Sequence, residues 1–458
     1  MARLLPTLLA LTLGASVATA QEAPPLWLAV APRQWTTALE PLREFRAGEM
    51  RAEVVALEDL LAATAEGADA AERLKRYLYG RWQHDGLRYL LLVGDVDVMP
   101  VRFMTLDRNT TAAFDYAFYA SDLYYGDLAA ADGGFEDWNG VRDGFHAGYF
   151  GEVRGEHFKD DPINYDAVHY LPEIAVGRWP VSQPAQVAAL VAKTVAWERG
   201  LAGRTRDALV VHAGGWIDAR PRAAGFAERL AAGGWTVARQ FYDTGSAPTP
   251  AKVGAALRGS PALALHVGHG SNETWHECLG PQERDALAGT APAVYFSAGC
   301  STAHLCTEPP YQAYACTNGH DHPGTVAGEV FVAPPCPPAN LQPGAYNSTG
   351  LGERLLRMPD GGAVVYLGCV TGSQPAGLSL LEGFAFAVGD GAATVGDAWT
   401  AGLGHYHQVE NLDGLIATDS WYPPSIYFQG MKFVLMGDPA LRLPSAPNKF
   451  QEPAAHGG

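Results

Sequence analysis

The sequence predicts an α/β protein, with mostly parallel sheets covered by helices on both faces and arranged as two units. Three observations carry that expectation. Short apolar, β-rich runs alternate with helical stretches from Leu26 onward. The alternation breaks once, between Pro100 and Pro172, in a stretch rich in aromatics, Gly and Asp, and then resumes. A second alternating series follows the polar joint Gly200 to Arg206, and a chain of 458 residues is too long for one small core.

In order, LWLAVA reads as a strand, Thr36 to Ala47 as a helix, AEVVAL as a strand, Leu74 to Trp82 as a helix and RYLLLVGD as a strand. After the interruption come the strand EIAVGRW and an amphipathic helix over Pro184 to Arg199. The second series runs ALVVHAG, a helix through Ala223 to Ala232, WTVARQF, a helix near Lys252 to Leu257, LALHVGH and AVYFSAG. Residues 302 to 348 are rich in Pro, Gly, Cys and His with no hydrophobic period, so they are expected to form a functional loop, a wall or lid of a site. A helix at Leu351 to Arg357, the strand GAVVYLG, two helices up to Tyr406 and the terminal strand KFVLMGDPALRL complete the series. The expected division is a signal peptide at 1–20, an N-terminal unit at 21–205, a second unit at 206–445 and a disordered tail at 446–458.

Composition narrows the function. A net charge of −17 argues against nucleic acid and anionic membranes as partners, since both repel it. The opening MARLLPTLLALTLGASVATA combines Arg3, an apolar stretch and Ala18-Thr19-Ala20, the pattern of a secretory signal cleaved before Gln21. A secreted or periplasmic location follows, and no later segment is long enough to insert in a membrane. Export permits disulfides. With Cys300 kept free and Cys369 buried in its strand, Cys278, Cys306, Cys316 and Cys336 would form two bridges in one of three connectivities.

The chemistry centres on two strand ends. PALALHVGHGS ends in His269-Gly270-Ser271, and APAVYFSAGCS ends in Gly299-Cys300-Ser301. Parallel neighbouring strands would deliver His269 and Cys300 to one rim of a sheet. An imidazole there can take and return the proton of a thiol that is otherwise a poor nucleophile at neutral pH.

Seven segments, LLLVGDVDVMP, ASDLYYGDL, PEIAVGRWPVSQPAQV, VGHGSNETW, YFSAGCS, GGAVVYLGCVTGS and MGDPALRL, occur in an order that resembles the catalytic domain of gingipain-type cysteine peptidases, in the wider caspase-like group. The resemblance implies two side-by-side α/β/α sandwich subdomains and peptide or protein substrates hydrolysed through a thioester acyl-enzyme, with no cofactor required for catalysis. It implies His269 as general acid/base, Cys300 as nucleophile, and the N–H groups of Gly270 and Cys300 as an oxyanion hole. The acid that such enzymes place beside the histidine has Asp218 as its nearest counterpart, which alternatively caps a helix. A backbone carbonyl is the other device the group uses. The family's pocket tryptophan and methionine fall at Gln374 and Leu378, and Val267 and Ser297 complete the expected pocket.

Two further expectations concern metals. Asp122, Asp127, Asp132, Asp137 and Asp143 offer hard oxygen ligands for a structural calcium, without EF-hand spacing; a solvated acidic loop is the alternative. A crowd of His266, His269, His276, Cys278, His304, Cys306, His320 and His322 raises a rival reading as a metal-dependent hydrolase, against which no HExxH spacing occurs. The third reading is a non-catalytic binding protein that retains the fold.

Overall fold

The computed structural model describes residues 24–106, 117–138, 163, 168–326, 335–416 and 422–444. The signal segment, Asp143 and the tail lie outside them. The opening strands are β1 (Leu26–Ala31), β2 (Arg51–Ala56) and β3 (Leu87–Val93). Within the interruption, β4 (Arg102–Leu106) and β5 (Ala117–Ser121) form an antiparallel pair apart from the main sheet. Then follow β6 (Ala175–Trp179), β7 (Asp207–His212), β8 (Thr236–Phe241), β9 (Leu263–Val267) and β10 (Ala293–Ser297). The long loop holds the short pair β11 (Tyr314–Ala315) and β12 (Asp321–His322), and β13 (Ala363–Cys369) and β14 (Phe433–Met436) close the set.

Ten strands form one sheet in the order β2-β1-β3-β6-β14-β13-β10-β9-β7-β8. All pairs are parallel except β13 with β14. β1, β3, β9, β10 and β13 are apolar almost throughout because both faces are covered by helices. The two series therefore meet edge to edge, with β14 between them; it touches β6 through the single register pair Met436 with Arg178. The expected joint falls at the short 3-10 turn Leu201–Gly203, between helix Pro184–Arg199 and β7.

The helices start where their sequence signals them. Asp69 accepts from the Glu72 amide at the head of Ala70–Asp85, which ends at Gly86 with φ 67°. Thr249 caps Pro250–Arg258, with Pro at the first helical position. The terminal strand is shorter than KFVLMGDPALRL suggests. Gly437 turns to φ 156°, Pro439 has no N–H to give a ladder, and Asp438 folds back to accept from the Ala440 amide.

Two buried polar clusters join distant motifs. Arg178 is fully buried and donates to both carboxylate oxygens of Asp122 (2.7 Å each) and to the carbonyls of Gly94, Met99 and Pro100. Asp438 accepts from Trp27 Nε1 (3.0 Å) and from Arg46 (2.7 Å), whose Nη1 reaches Glu198 at 2.8 Å; Arg442 donates to the same glutamate at 2.6 Å.

Candidate active site

β9 and β10 run parallel with His266 opposite Ser297, so His269 and Cys300 stand the same three residues beyond a matched pair. Both emerge at the carboxyl edge of the sheet, where open α/β folds hold their ligands. The two following loops touch through backbone. A Cβ added to Gly270 would lie 2.8 Å from the Cys300 carbonyl oxygen, and one added to Gly299 would lie 3.0 Å from the Gly270 Cα. Only glycine permits that approach.

Beneath the rim, His266 is buried and stacks on Trp275 with centroids 4.5 Å apart and planes 2° from parallel. Its Nδ1 is hydrogen-bonded to Ser297 Oγ (2.9 Å), and that oxygen also accepts from the Gly299 amide (3.2 Å). Trp275 Nε1 donates to Tyr366 Oη at 2.9 Å, and the His276 amide donates to the His269 carbonyl at 3.0 Å. Burial drives the His266 pKa down to about 3, so this ring is neutral and holds the floor of the loop.

The exposed His269 imidazole donates from Nε2 to the Gly215 carbonyl oxygen at 2.9 Å. That bond places the proton on Nε2 and leaves the lone pair on Nδ1. Gly215 sits in the loop after β7 with φ 90°. Asp218, in the same loop, does not reach His269. Its oxygens accept from Arg220 Nε and Nη2 at 2.6 Å each, and Tyr242 Oη lies 3.4 Å away. A carbonyl thus occupies the place where an acidic side chain was sought.

Cys300 is half-buried and free. The Ser373 amide donates to its Sγ at 3.3 Å, and the Ser373 carbonyl lies 3.6 Å from the same sulfur. Ser301 follows with φ 53°, a left-handed conformation uncommon outside glycine, held by its amide donating to the Thr371 carbonyl at 2.7 Å. The Ala303 amide donates to the Cys369 carbonyl at 3.0 Å, which docks the turn on the end of β13. Lys432, buried beside β13, donates to the Gly372 carbonyl at 3.3 Å. Among the described residues the amides of Gly270 and Cys300 donate to no protein acceptor.

Of the expected pocket residues, Gln374 lies next to Ser373 and donates its amide to Gln429 Oε1 at 2.7 Å. Val267, Ser297 and Leu378 are buried in the core, at 1% exposure or less, and offer no surface to a substrate. Val267 and Ser297 belong to central strands covered on both faces, and Leu378 turns inward at the start of helix Gly377–Gly389. The contributions of Gly215 and Ser373 come from backbone atoms, which no residue type announces.

The expected pair of disulfides is not formed: all six cysteines are free. Cys278 and Cys306 are packed in the hydrophobic core, where burial pushes the Cys278 thiol up to about 12 and the Cys306 thiol well above its ordinary value. Cys316 and Cys336 approach each other, together with His322.

The metal-hydrolase set disperses. His266 stacks on Trp275, His304 Nε2 is hydrogen-bonded to Ser348 Oγ at 2.6 Å, and Cys278 and Cys306 are core residues. The acidic stretch does not gather around one point among the described residues. Asp122 is engaged by Arg178, Asp127 accepts from Trp138 Nε1 at 2.8 Å, and Asp132 accepts from the Gly134 amide at 2.8 Å. Each of these three carboxylates is thus engaged by a protein donor, and Asp143 lies outside the described residues.

The sequence profile of peptidase family C25 matches residues 20–444, and the chain belongs to that family. It is a cysteine-type peptidase, a hydrolase of protein or peptide substrates. The fold is similar to that of the Arg-specific cysteine proteinase gingipain R, with a TM-score of 0.61, 15% identity, and coverage of 93% of this chain and 79% of that one. The complex of pro- and mature domains of RgpB from Porphyromonas gingivalis matches at a TM-score of 0.56 and 15% identity, covering 91% and 79%. A structure described as a protease matches at 0.59 and 15%, covering 93% and 80%. No curated protein matches the sequence. The central sheet of ten strands flanked by helices is the caspase- and gingipain-like α/β architecture.

Proposed function

We propose that the chain is an exported cysteine endopeptidase acting through a Cys300–His269 dyad. One observation carries the reading: the matched ends of β9 and β10 bring an imidazole with a fixed tautomer and a free thiol to one rim, where the Gly270 and Cys300 amides donate to no acceptor among the described residues. His269 Nδ1 takes the proton of the Cys300 thiol, and the sulfur attacks the carbonyl carbon of the scissile peptide. The oxyanion accepts from the Gly270 and Cys300 amides, where each donor is worth about 3 kcal/mol of barrier. The imidazolium then gives its proton to the leaving amine nitrogen, and the thioester remains. His269 next takes a proton from water, whose oxygen attacks the thioester and releases the acid and the thiol.

Export rests on residues 1–20, and the mechanism on this chain's own residues. No helix among the described residues is long and apolar enough to cross a membrane. The arginine specificity in the description of gingipain R stays with that protein, because the family's pocket tryptophan and methionine fall here at Gln374 and Leu378, and Leu378 is buried.

A broad fluorogenic peptide library, run on the wild type and on Cys300→Ala, tests the proposal. Turnover by the wild type should fall to background in Cys300→Ala, and one iodoacetamide equivalent should enter at Cys300 first, as read by peptide mass mapping. Turnover that survives Cys300→Ala would overturn it.

A further inference from the structure

Outside the catalytic rim, a second cluster of soft ligands lies in the long loop between β10 and β13. We propose that Cys316, His322 and Cys336 form a binding site for a zinc-class divalent ion that clips this loop together. The two Sγ atoms and one imidazole nitrogen all lie within 4.8 Å of one another. A tetrahedral zinc with bonds of about 2.3 Å to sulfur separates its thiolates by roughly 3.8 Å, so a small closure brings all three into range.

The scaffold around the ligands is built. β11 and β12 pair Tyr314 with His322 and Ala315 with Asp321, and the Cys316 amide donates to the His320 carbonyl at 2.9 Å. Cys316 therefore leads into the hairpin turn, which Gly319 closes with φ 76°, while His322 stands on the returning strand. Cys336 arrives from the far side. Tyr314 Oη donates to its carbonyl at 2.8 Å, and Thr317 donates its amide to the Pro337 carbonyl at 2.9 Å. The His322 ring is stacked on Tyr314 with centroids 4.6 Å apart, and its Nε2 is buried with no hydrogen-bond partner among the described residues.

The surroundings of the sulfur separate a metal thiolate from a cystine. Asn318 Nδ2 donates to Cys336 Sγ at 3.4 Å, and Thr317 Oγ1 lies 3.6 Å from the same atom. Donors turned onto sulfur stabilise a negative charge that a metal-bound thiolate carries and a disulfide does not. Two thiolates and an imidazole select zinc over calcium or magnesium, which want oxygen. His322 and Cys336 are half-buried, so solvent can fill the fourth position.

The site is distinct from the catalytic rim, and it has a mechanical reach. Gln342 brackets Ala315 through its side chain at 2.9 and 2.8 Å, its amide donates to the Val96 carbonyl at 2.8 Å, and the Val101 amide donates to the Asn340 carbonyl at 3.0 Å. An ion held by the hairpin and by Cys336 would thus fasten the loop to the end of β3.

Full-length protein purified under reducing conditions, loaded with zinc and dialysed, should retain about one zinc per chain by elemental analysis. Cobalt in its place should give the thiolate charge-transfer band and the intense visible bands of a tetrahedral site. Both signals should vanish in Cys316→Ser and in Cys336→Ser, weaken about tenfold or more in His322→Ala, and persist in Cys300→Ala. Near-UV circular dichroism shows which variants fold, and the wild-type cobalt spectrum stands alone if a variant does not. Failure of the reduced wild type to hold zinc, an octahedral cobalt spectrum, or a Cys316–Cys336 cross-link in peptides of the exported protein would overturn the proposal.

Discussion

The imidazole of His269 is oriented by a main-chain oxygen, the Gly215 carbonyl, and not by an acidic side chain. Asp218→Asn is therefore expected to leave kcat/KM within about twofold, because the carboxylate is engaged by Arg220 rather than by the histidine. A loss of about tenfold or more in steady-state assays would show that Asp218 does act on the ring. At this scale the sequence was legible wherever chemistry is written in a side chain. The residues of the proposed site, His269, Cys300 and Gly270, could be named from two strand ends. The Gly215 carbonyl and the Ser373 amide could not, since every residue carries both groups. Val267 and Ser297 misled because proximity to the dyad in sequence does not distinguish a side chain facing the rim from one sealed between helices and sheet.

Within single elements, the loops after β9 and β10 depend on backbone contact. Gly270→Ala places a methyl group 2.8 Å from the Cys300 carbonyl oxygen, so one loop must shift, and the amide proposed as an oxyanion donor moves with it. Turnover should fall about 100-fold, with a drop of only a few degrees in Tm. Unchanged turnover would show that these amides do not face the reacting carbonyl. The stacked His266 has a different signature. Its folded-state pKa is depressed to about 3 by burial, with the His212 and His269 rings adding to the effect, against about 6.5 in the unfolded chain. Between those values the unfolded state binds the extra proton. The stabilisation is complete above about pH 6.5 and is lost as pH falls, by up to about 1.4 kcal/mol per unit. His266→Phe keeps a ring against Trp275 and should flatten that part of the acid-stability curve in urea titrations from pH 6.5 to 4. An unaltered slope would mean that other groups carry it. Helices were legible at this scale where a cap or an N-terminal proline marks them, and Thr36–Ala47, Pro184–Arg199 and Leu351–Arg357 lie where the hydrophobic period places them. Disulfides were misjudged because cysteine counting sees neither burial nor distance.

For the whole molecule, the Arg46–Glu198–Asp438 cluster ties the first helix, the helix before the joint and the segment after β14 into one buried unit. Asp438→Ala strands the Arg46 guanidinium with one carboxylate fewer and leaves Trp27 Nε1 without its acceptor. A destabilisation of about 3 to 5 kcal/mol is expected, read from the urea midpoint at constant m-value. A shift below about 1 kcal/mol would show the cluster to be ornamental to stability. Parallel topology and the two strand series were readable from alternation alone, because βαβ units write their period locally. The antiparallel placement of β14 was not, since its partners, β13 about 65 residues earlier and β6 about 260 residues earlier, leave no local mark.

That placement governs the order of assembly. Phe433 to Met436 follow every other strand of this sheet along the chain, yet these four residues bridge what are otherwise two half-sheets with open inner borders. During folding each half can collapse by itself, but the seam stays unfilled, and the half that carries Cys300 lacks this neighbour until the last strand threads between them. Completion of the sheet thus waits on its last strand, and a chain truncated before Phe433 should remain proteolytically silent while retaining most of its helices.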